Sequence, residues 1–179
     1  MVLVDLEENE FRYSNPFSKC GPHHHLLYDY IYSFLSNSFY YSVVSPTKFA
    51  EPLEEKCSDC SVRDALVVFI TVEKIDASSV YETANLASSE IVRMLKHIGK
   101  KEVVLFPFSH LSNDLADPVT AIKIIDEIKS RIHKFGLQAF KAPFGWEKIF
   151  SLTCKGHPLA QALRVIHPTN RGDRIESSL

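Results

Sequence analysis

The chain has 179 residues and a formal net charge of -2, since 20 lysines and arginines face 22 aspartates and glutamates. Its length fits one domain of roughly 150 residues with some chain left over. The hydrophobic share of 45% and the charged share of 23% are those of a globular protein, which excludes a collagen-like chain, a coiled coil and a polycation that coats nucleic acid.

Several classes of protein are excluded by what the sequence lacks. No apolar run reaches 18 residues, and the first eight residues are acidic where a signal peptide is basic, so we expect a cytoplasmic protein without a membrane partner. Four cysteines in that compartment favour reduced thiols. Cys57 and Cys60 form only half of a zinc-ribbon pattern, and Cys20 with His23–His25 is the sole candidate for the other half. We therefore expect no metal.

The first third of the chain predicts irregular structure followed by a hairpin. Residues 1–30 contain Asn-Pro and Gly-Pro pairs and are interpreted as an extension. Residues 30–44 are rich in aromatic and β-branched side chains, which predicts two strands joined by a turn at Ser36–Ser38. Residues 45–64 carry Pro46 and a Cys-x-x-Cys spacing and are predicted to be an exposed loop or a short insertion.

The middle of the chain carries clear periodic patterns. The apolar run Ala65–Val72 predicts a strand that is buried on both faces, and Val103–Phe106 predicts a second short strand. Between them, apolar residues recur at steps of three and four over Ser79–His97, which predicts an amphipathic helix. A second helix is predicted from Asp117, an N-cap followed by proline, to Gly136.

The last part of the chain predicts two strands and a helix. Residues 137–142 and 149–154 are the strands, joined by a tight turn at Pro143–Trp146, and residues 158–165 are the helix. The order β-β-β-α-β-α-β-β-α indicates an α/β (α+β) sandwich with helices packed on a mixed sheet.

A few polar residues stand where chemistry is possible. Lys148 is predicted to share a partly enclosed strand face with Phe150 and Leu152, although a solvated lysine would be the more common outcome. His110 follows a strand directly, where a side chain can meet a ligand, but a lone histidine is more often structural. Cys154 on a strand is more often a small core residue than a nucleophile. The common nucleotide-binding, serine-hydrolase and zinc-protease motifs are absent from the sequence.

Four motifs in order resemble one known family. They are Val68–Asp76 (VFITVEKID), Phe106–Ser112 (FPFSHLS), Lys141–Trp146 (KAPFGW) and Cys154–Ala160 (CKGHPLA). Together they resemble the N-terminal editing domain of archaeal threonyl-tRNA synthetases. The resemblance covers residues 34–166 approximately, and we expect the editing domain at residues 31–167 with a tail or linker at 168–179.

The resemblance implies both a fold and a function. The family has the fold of D-aminoacyl-tRNA deacylases, works as a homodimer and hydrolyses L-serine that is wrongly attached to the threonine tRNA, without a cofactor. Such proofreading is needed because one methyl group in a binding pocket discriminates by only about 1–3 kcal/mol. The expected partners are the 3′ end of tRNA(Thr) carrying serine and a threonyl-tRNA synthetase catalytic core that is either separate or fused.

The resemblance also implies roles for particular residues. Lys148 would contact the water or the leaving oxygen, His110 would help to hold the terminal ribose, and Phe144 would pack on the terminal adenosine. The tRNA's own terminal 2′-hydroxyl is implicated in activating the water. The residues expected to be catalytic are Lys148 and His110, and those expected to bind substrate are Val72, Ser109, Phe144, Glu147, Cys154 and Gln161.

Three departures from the family pattern keep other functions open. Relatives carry a glutamate where this chain has Gln161, and often an aromatic residue where it has Glu147. Their first strand ends in His-Ser-Asp, where this chain has Leu35–Ser38. One alternative is therefore a non-catalytic tRNA-binding or dimerisation module. Another is a D-aminoacyl-tRNA deacylase, which the shared fold permits.

Overall fold

The computed structural model describes residues 29–53, 57–156, 160–166 and 176–178. Within these residues, two α-helices pack on a mixed β-sheet, which confirms the predicted α/β class. Most of the predicted N-terminal extension, Cys20, His23–His25 and His157 lie outside the described residues.

The described residues form eight strands, two α-helices and two short 3₁₀ helices. The 3₁₀ helices are Lys74–Ser79 and Ser109–Leu111. The α-helices are α1 (Val80–His97) and α2 (Pro118–Lys134). The strands are β1 (Asp29–Pro46), β2 (Asp59–Arg63), β3 (Leu66–Thr71), β4 (Glu102–Pro107), β5 (Gln138–Lys141), β6 (Trp146–Cys154), β7 (Gln161–Ile166) and β8 (Glu176–Ser178).

The long strand β1 joins the two halves of the sheet. Its first half pairs antiparallel with β3 on one side and β7 on the other. Its second half pairs antiparallel with β2 and β6. Beyond β3, the parallel strands β4 and β5 complete one edge, while β8 pairs with β7 at the other. Every strand therefore connects to the same 18-residue strand, directly or through one or two neighbours.

The predicted hairpin is wrong, because β1 continues through Ser36–Ser38 instead of reversing there. The N–H and the hydroxyl of Ser36 both donate to the carbonyl of Ala65 at 2.9 Å, and the Asn37 carbonyl accepts the N–H of Asp64 at 3.0 Å. The register with β6 also shifts between Ser36 and Ser38. The polar groups of Ser36 and Asn37, which favour a turn in isolation, instead form hydrogen bonds with residues 64 and 65 beside β1. Tertiary pairing therefore overrides the local turn preference.

Two more predicted elements differ from the structure. The loop predicted over residues 45–64 contains strand β2, which pairs with β1 through Ser38–Ser42. The helix predicted over residues 158–165 is wrong where it is described, because Gln161–Ile166 forms β7. This segment pairs along the first half of β1. The pairing satisfies the backbone N–H and C=O groups on that side of β1, which a helix in the same place would leave without partners. Part of the predicted tail forms β8.

The continuous apolar run of β3 is explained by packing on both faces. Leu66, Val68 and Ile70 face the aliphatic core formed with α1 and α2. Val67 and Phe69 face a second core that is mainly aromatic and includes residues of β1, β4 and β6. The prediction of a strand buried on both faces is confirmed, since all six residues of β3 are buried.

Both predicted helices are confirmed, and so are the residues predicted to begin α2 and to end both helices. The Asp117 carboxylate accepts the N–H of Thr120 at 3.0 Å, and Pro118 occupies the first turn, as the sequence predicts. Gly99 and Gly136 follow the two helices with φ of 67° and 74°, the left-handed conformation in which a glycine ends a helix.

A buried ion pair fastens α1 to β7. The fully buried Glu90 carboxylate accepts from Arg164 Nε at 2.9 Å and from Arg93 Nη2 at 2.6 Å. Burial by itself raises the pKa of Glu90, but the hydrogen bonds and charges of both arginines lower it overall. Because the folded-state pKa is depressed, this stabilisation is complete above the unfolded-state pKa and is lost as the pH falls through the folded-state value.

We expect Glu90→Ala to lower the free energy of unfolding by about 3–5 kcal/mol, because Arg164 stays largely buried without its carboxylate. The matched control Arg93→Ala removes the exposed partner, whose side chain is 62% accessible, and should cost less than about 1 kcal/mol. Urea unfolding at neutral pH measures both. Equal losses would show that the pair does not fasten α1 to β7.

Candidate active site

A pocket of about 810 Å³ opens at the carboxyl ends of β3 and β4. Because these strands are parallel, their carboxyl ends meet at one edge of the sheet, where α/β proteins commonly bind ligands. The opposite wall comes from the turn before β6 and from the segment that follows β1. The volume of the pocket is within the range of small-molecule binding sites.

Six of the eight sequence-predicted site residues line this pocket. They are Val72, Ser109, His110, Phe144, Glu147 and Lys148. Cys154 and Gln161 lie elsewhere, beside the middle of β1. The Cys154 sulfur is 3.5 Å from the Ala160 carbonyl oxygen, and the Gln161 side chain accepts a hydrogen bond from Tyr32 at 3.1 Å. The structure therefore brings the two expected catalytic residues together with four of the six expected substrate-binding residues.

Lys148 lies half-buried against the aromatic core. Its Nζ donates to the carbonyls of Pro143 at 2.7 Å and Trp146 at 2.8 Å, and lies 5.3 Å from the centre of the Phe106 ring. Burial lowers the pKa of Lys148 to about 8, although the Glu51 charge opposes this shift. With two donors used by the turn, the remaining tetrahedral position on nitrogen carries either a proton or a lone pair at near-neutral pH.

Glu51 holds the turn and was not predicted from the sequence. Its carboxylate accepts the N–H of Phe144 at 2.7 Å and the ammonium of Lys141 at 2.8 Å, while its carbonyl accepts the indole N–H of Trp146 at 2.9 Å. Lys141 also pairs with Asp126. Burial by itself lowers the pKa of Lys141, but the two carboxylates raise it overall. These contacts join residues 90 or more positions apart, so no local pattern indicates them.

The turn before β6 is closed by a glycine that has no room for a side chain. Gly145 has φ of 72°, and a Cβ built there would overlap the backbone of Phe49. The Gly145 carbonyl accepts both the N–H of Thr47 at 2.9 Å and its hydroxyl at 2.6 Å. The segment after β1 and this turn therefore pack backbone against backbone.

On the other wall of the pocket, hydrogen bonds join the segments at the ends of β3 and β4. The N–H of Phe108 donates to the Ile70 carbonyl at 2.9 Å, and the hydroxyl of Thr71 donates to the Phe108 carbonyl. The N–H of Ala116 donates to the Val72 carbonyl at 3.0 Å. The backbones of Val72 and of Phe108, which precedes Ser109, are thus held by hydrogen bonds between separate segments of the chain.

His110 and Glu147 lie at the exposed rim. The His110 ring packs edge-on against Phe108 with a centroid separation of 5.1 Å, within the 3₁₀ helix that follows β4. The Glu147 carboxylate accepts the hydroxyl of Ser45 at 2.5 Å. Glu147 is thus held toward β1 in this structure, and His110 has an orientation set by ring packing.

The three cysteines in the described part of the chain do not form a metal site there. Among the described residues, no cluster of three or more histidine, cysteine, aspartate or glutamate side chains is close enough to bind a metal ion. Cys57, Cys60 and Cys154 are free thiols. Burial, together with the charge of Asp59, raises the pKa of Cys60, which makes its thiolate scarce near neutral pH.

Comparison with known proteins decides the family. A model of the archaea-specific editing domain of threonyl-tRNA synthetase matches residues 30–166. The chain belongs to this family. The resemblance seen in its four sequence motifs is therefore confirmed, and with it the fold class.

The editing domain is similar to parts of several archaeal proteins named threonine--tRNA ligase. It is 42% identical over 111 residues to the one from Thermofilum pendens, which covers 62% of this chain and 18% of that protein. It is 37% identical over 129 residues to the one from Thermococcus onnurineus, covering 72% and 21%. The corresponding protein of Methanosarcina barkeri is 36% identical over 129 residues, covering 72% and 20%. The chain thus spans about one fifth of the length of the curated relatives it matches.

Neither α1 nor α2, nor any other helix in the described part of the chain, is long and apolar enough to cross a membrane.

We expect Gly145→Ala to be far more destabilising than Gly136→Ala. Both glycines have φ above 70°, so each substitution should cost about 1–2 kcal/mol of backbone strain. A Cβ at Gly136 meets nothing within 4 Å, whereas one at Gly145 overlaps the Phe49 backbone. The expected excess for Gly145→Ala is about 1–3 kcal/mol, measured by urea unfolding. Equal costs would contradict the close packing of the two segments.

Proposed function

We propose that this editing domain hydrolyses L-serine from mischarged threonine tRNA, as the proofreading hydrolase of threonyl-tRNA synthesis. The observation that carries the proposal is a half-buried lysine, Lys148, with a pKa lowered to about 8, in a pocket that also contains His110 and Phe144. The partners are the seryl 3′ end of tRNA(Thr), a second copy of the chain and a separate or fused synthetase core. The reaction takes place in the cytoplasm, where tRNA is charged.

The pocket offers a place for each part of the substrate. The terminal adenosine packs on Phe144, and His110 holds the ribose at the rim. The serine enters between the backbones of Val72 and Ser109. The Val72 carbonyl accepts the Ala116 N–H, and Phe108, which precedes Ser109, is hydrogen-bonded to Ile70 and Thr71. A rigid main-chain wall excludes the additional methyl group of threonine better than mobile side chains would, because it cannot move aside without breaking those bonds.

Lys148 provides the proton transfer. Water, oriented by the terminal 2′-hydroxyl of the tRNA, adds to the ester carbonyl carbon while the neutral amine of Lys148 accepts one of its protons. The bond between that carbon and the ribose oxygen then breaks, and the Lys148 ammonium returns the proton to the ribose oxygen. A pKa close to the working pH suits a group that must both accept and donate a proton.

The non-catalytic alternative is supported by two of the three departures from the family pattern, Glu147 and Gln161. Glu147 is hydrogen-bonded to Ser45, and Gln161 lies outside the pocket with Tyr32. If the family's residues at these two positions are needed for hydrolysis, this domain would bind seryl-tRNA without hydrolysing it. The D-aminoacyl-tRNA alternative uses the same pocket with the opposite chirality.

Deacylation of L-seryl-, L-threonyl- and D-seryl-tRNA(Thr), measured side by side, tests the proposal. We expect rapid loss of L-serine alone. Loss of D-serine in preference would establish the second alternative, and binding without loss of any amino acid would establish the first.

We expect Lys148→Met to lower the rate of L-serine release by about 10²-fold or more, because the variant retains the apolar stem and removes the proton-transfer group. Binding of a non-hydrolysable seryl-adenosine, measured by calorimetry, should change much less. An unchanged rate in the variant would show that Lys148 has no part in the chemistry.

A further inference from the structure

An exposed aromatic residue and a lysine lie together at the rim of the pocket. Phe49 is 49% exposed, and the Lys48 ammonium lies 4.8 Å from the centre of its ring. Both residues line the pocket rim next to the turn that carries Phe144. None of the roles given to the other site residues uses this pair.

The position of Phe49 is fixed by its backbone. The Phe49 N–H donates to the Thr47 hydroxyl at 3.2 Å, and the Ala50 N–H donates to the Thr47 carbonyl at 3.1 Å. The absence of a side chain at Gly145 allows the Phe49 backbone to pack directly on the turn. The backbone of Phe49 is therefore held in place at the rim, and its ring is available to a ligand.

This chemistry fits single-stranded nucleic acid. Proteins bind unpaired nucleotides by stacking bases on aromatic rings and by placing lysine or arginine near the phosphates. The Lys48 ammonium at this rim supplies the positive charge for a phosphate of the bound strand.

We propose that Phe49 and Lys48 form a subsite for the unpaired nucleotide that precedes the terminal adenosine of the tRNA. Phe49 stacks on the base of that nucleotide, and Lys48 contacts the phosphate. This inference rests on the proposed function, since it takes Phe144 as the residue that holds the terminal adenosine.

Two substrates that differ only upstream of the adenosine test the subsite. One is L-seryl-tRNA(Thr), and the other is 3′-O-L-seryl-adenosine, which has no preceding nucleotide. Phe49→Ala should raise KM for the tRNA about tenfold more than KM for seryl-adenosine, as expected for the loss of one base stack. Lys48→Gln should reduce the slope of the logarithm of the tRNA binding constant against the logarithm of salt concentration by about one, as expected for the loss of one phosphate contact.

A matched control is present in the same chain. Phe135 is 55% exposed with the Lys96 ammonium 5.7 Å from its ring centre, and it lies after α2, outside the pocket lining. Phe135→Ala should leave both KM values unchanged. Urea unfolding of both variants checks that each still folds.

Two results would overturn the subsite. Equal changes for the two substrates would mean that Phe49 only shapes the aminoacyl pocket, and no change for either would mean that the nucleotide does not contact it.

If the wild-type chain hydrolyses neither substrate, the proposed catalytic function fails and the subsite is tested by binding alone. A short RNA ending in CCA should then bind more tightly than adenosine, and Phe49→Ala should abolish the difference. An unchanged difference would overturn the subsite.

Discussion

The antiparallel register between β1 and β6 is the constraint on which the site depends. This register pairs Pro46 with Trp146 and Val43 with Lys148, so the residues that follow β1 must run beside the residues that precede β6. Glu51 is thereby brought to the turn that it holds. A slip of one residue would exchange the two faces of β6 and move Lys148 to the side where Ile149 is 63% exposed. The aromatic packing of Phe39 with Phe106 and Phe150 on the inner face opposes such a slip.

Two opposing effects set the chemistry of Lys148. Burial beside Phe106 disfavours the ammonium, while the Glu51 carboxylate favours it, and burial is the larger effect. The carbonyls of Pro143 and Trp146 fix the direction of Nζ in either protonation state, because an amine and an ammonium both have at least two N–H donors. A group that keeps its position while it gains or loses a proton is suited to shuttle that proton during ester hydrolysis.

Much of the fold could be predicted from the sequence because the signals are local, and the resemblance of four short motifs to a known family indicated six residues that line the pocket. The run of β3, the periodicity of α1 and the cap of α2 at Asp117 each predict an element that the structure contains. The hairpin at Ser36–Ser38 and the final helix were wrong because pairing along β1 outweighs local preference there. Glu51 could not be found for a related reason: its partners lie about 90 residues away, and only the register of β1 with β6 makes them neighbours.

In the proposed reaction, the Lys148 amine, which lies in a turn held by Glu51, carries the proton during hydrolysis of the seryl ester. The most direct test of this role is the rate of L-seryl-tRNA(Thr) hydrolysis against pH, in the wild-type chain and in Glu51→Gln, with the rate of Lys148→Met subtracted. We expect the rate to rise with pH to a plateau, with its midpoint near pH 8, where Lys148 loses its proton. In Glu51→Gln the midpoint should fall, because the charge that favours the ammonium is removed. A rate without a midpoint near pH 8, or a midpoint that the variant leaves unmoved, would contradict this role.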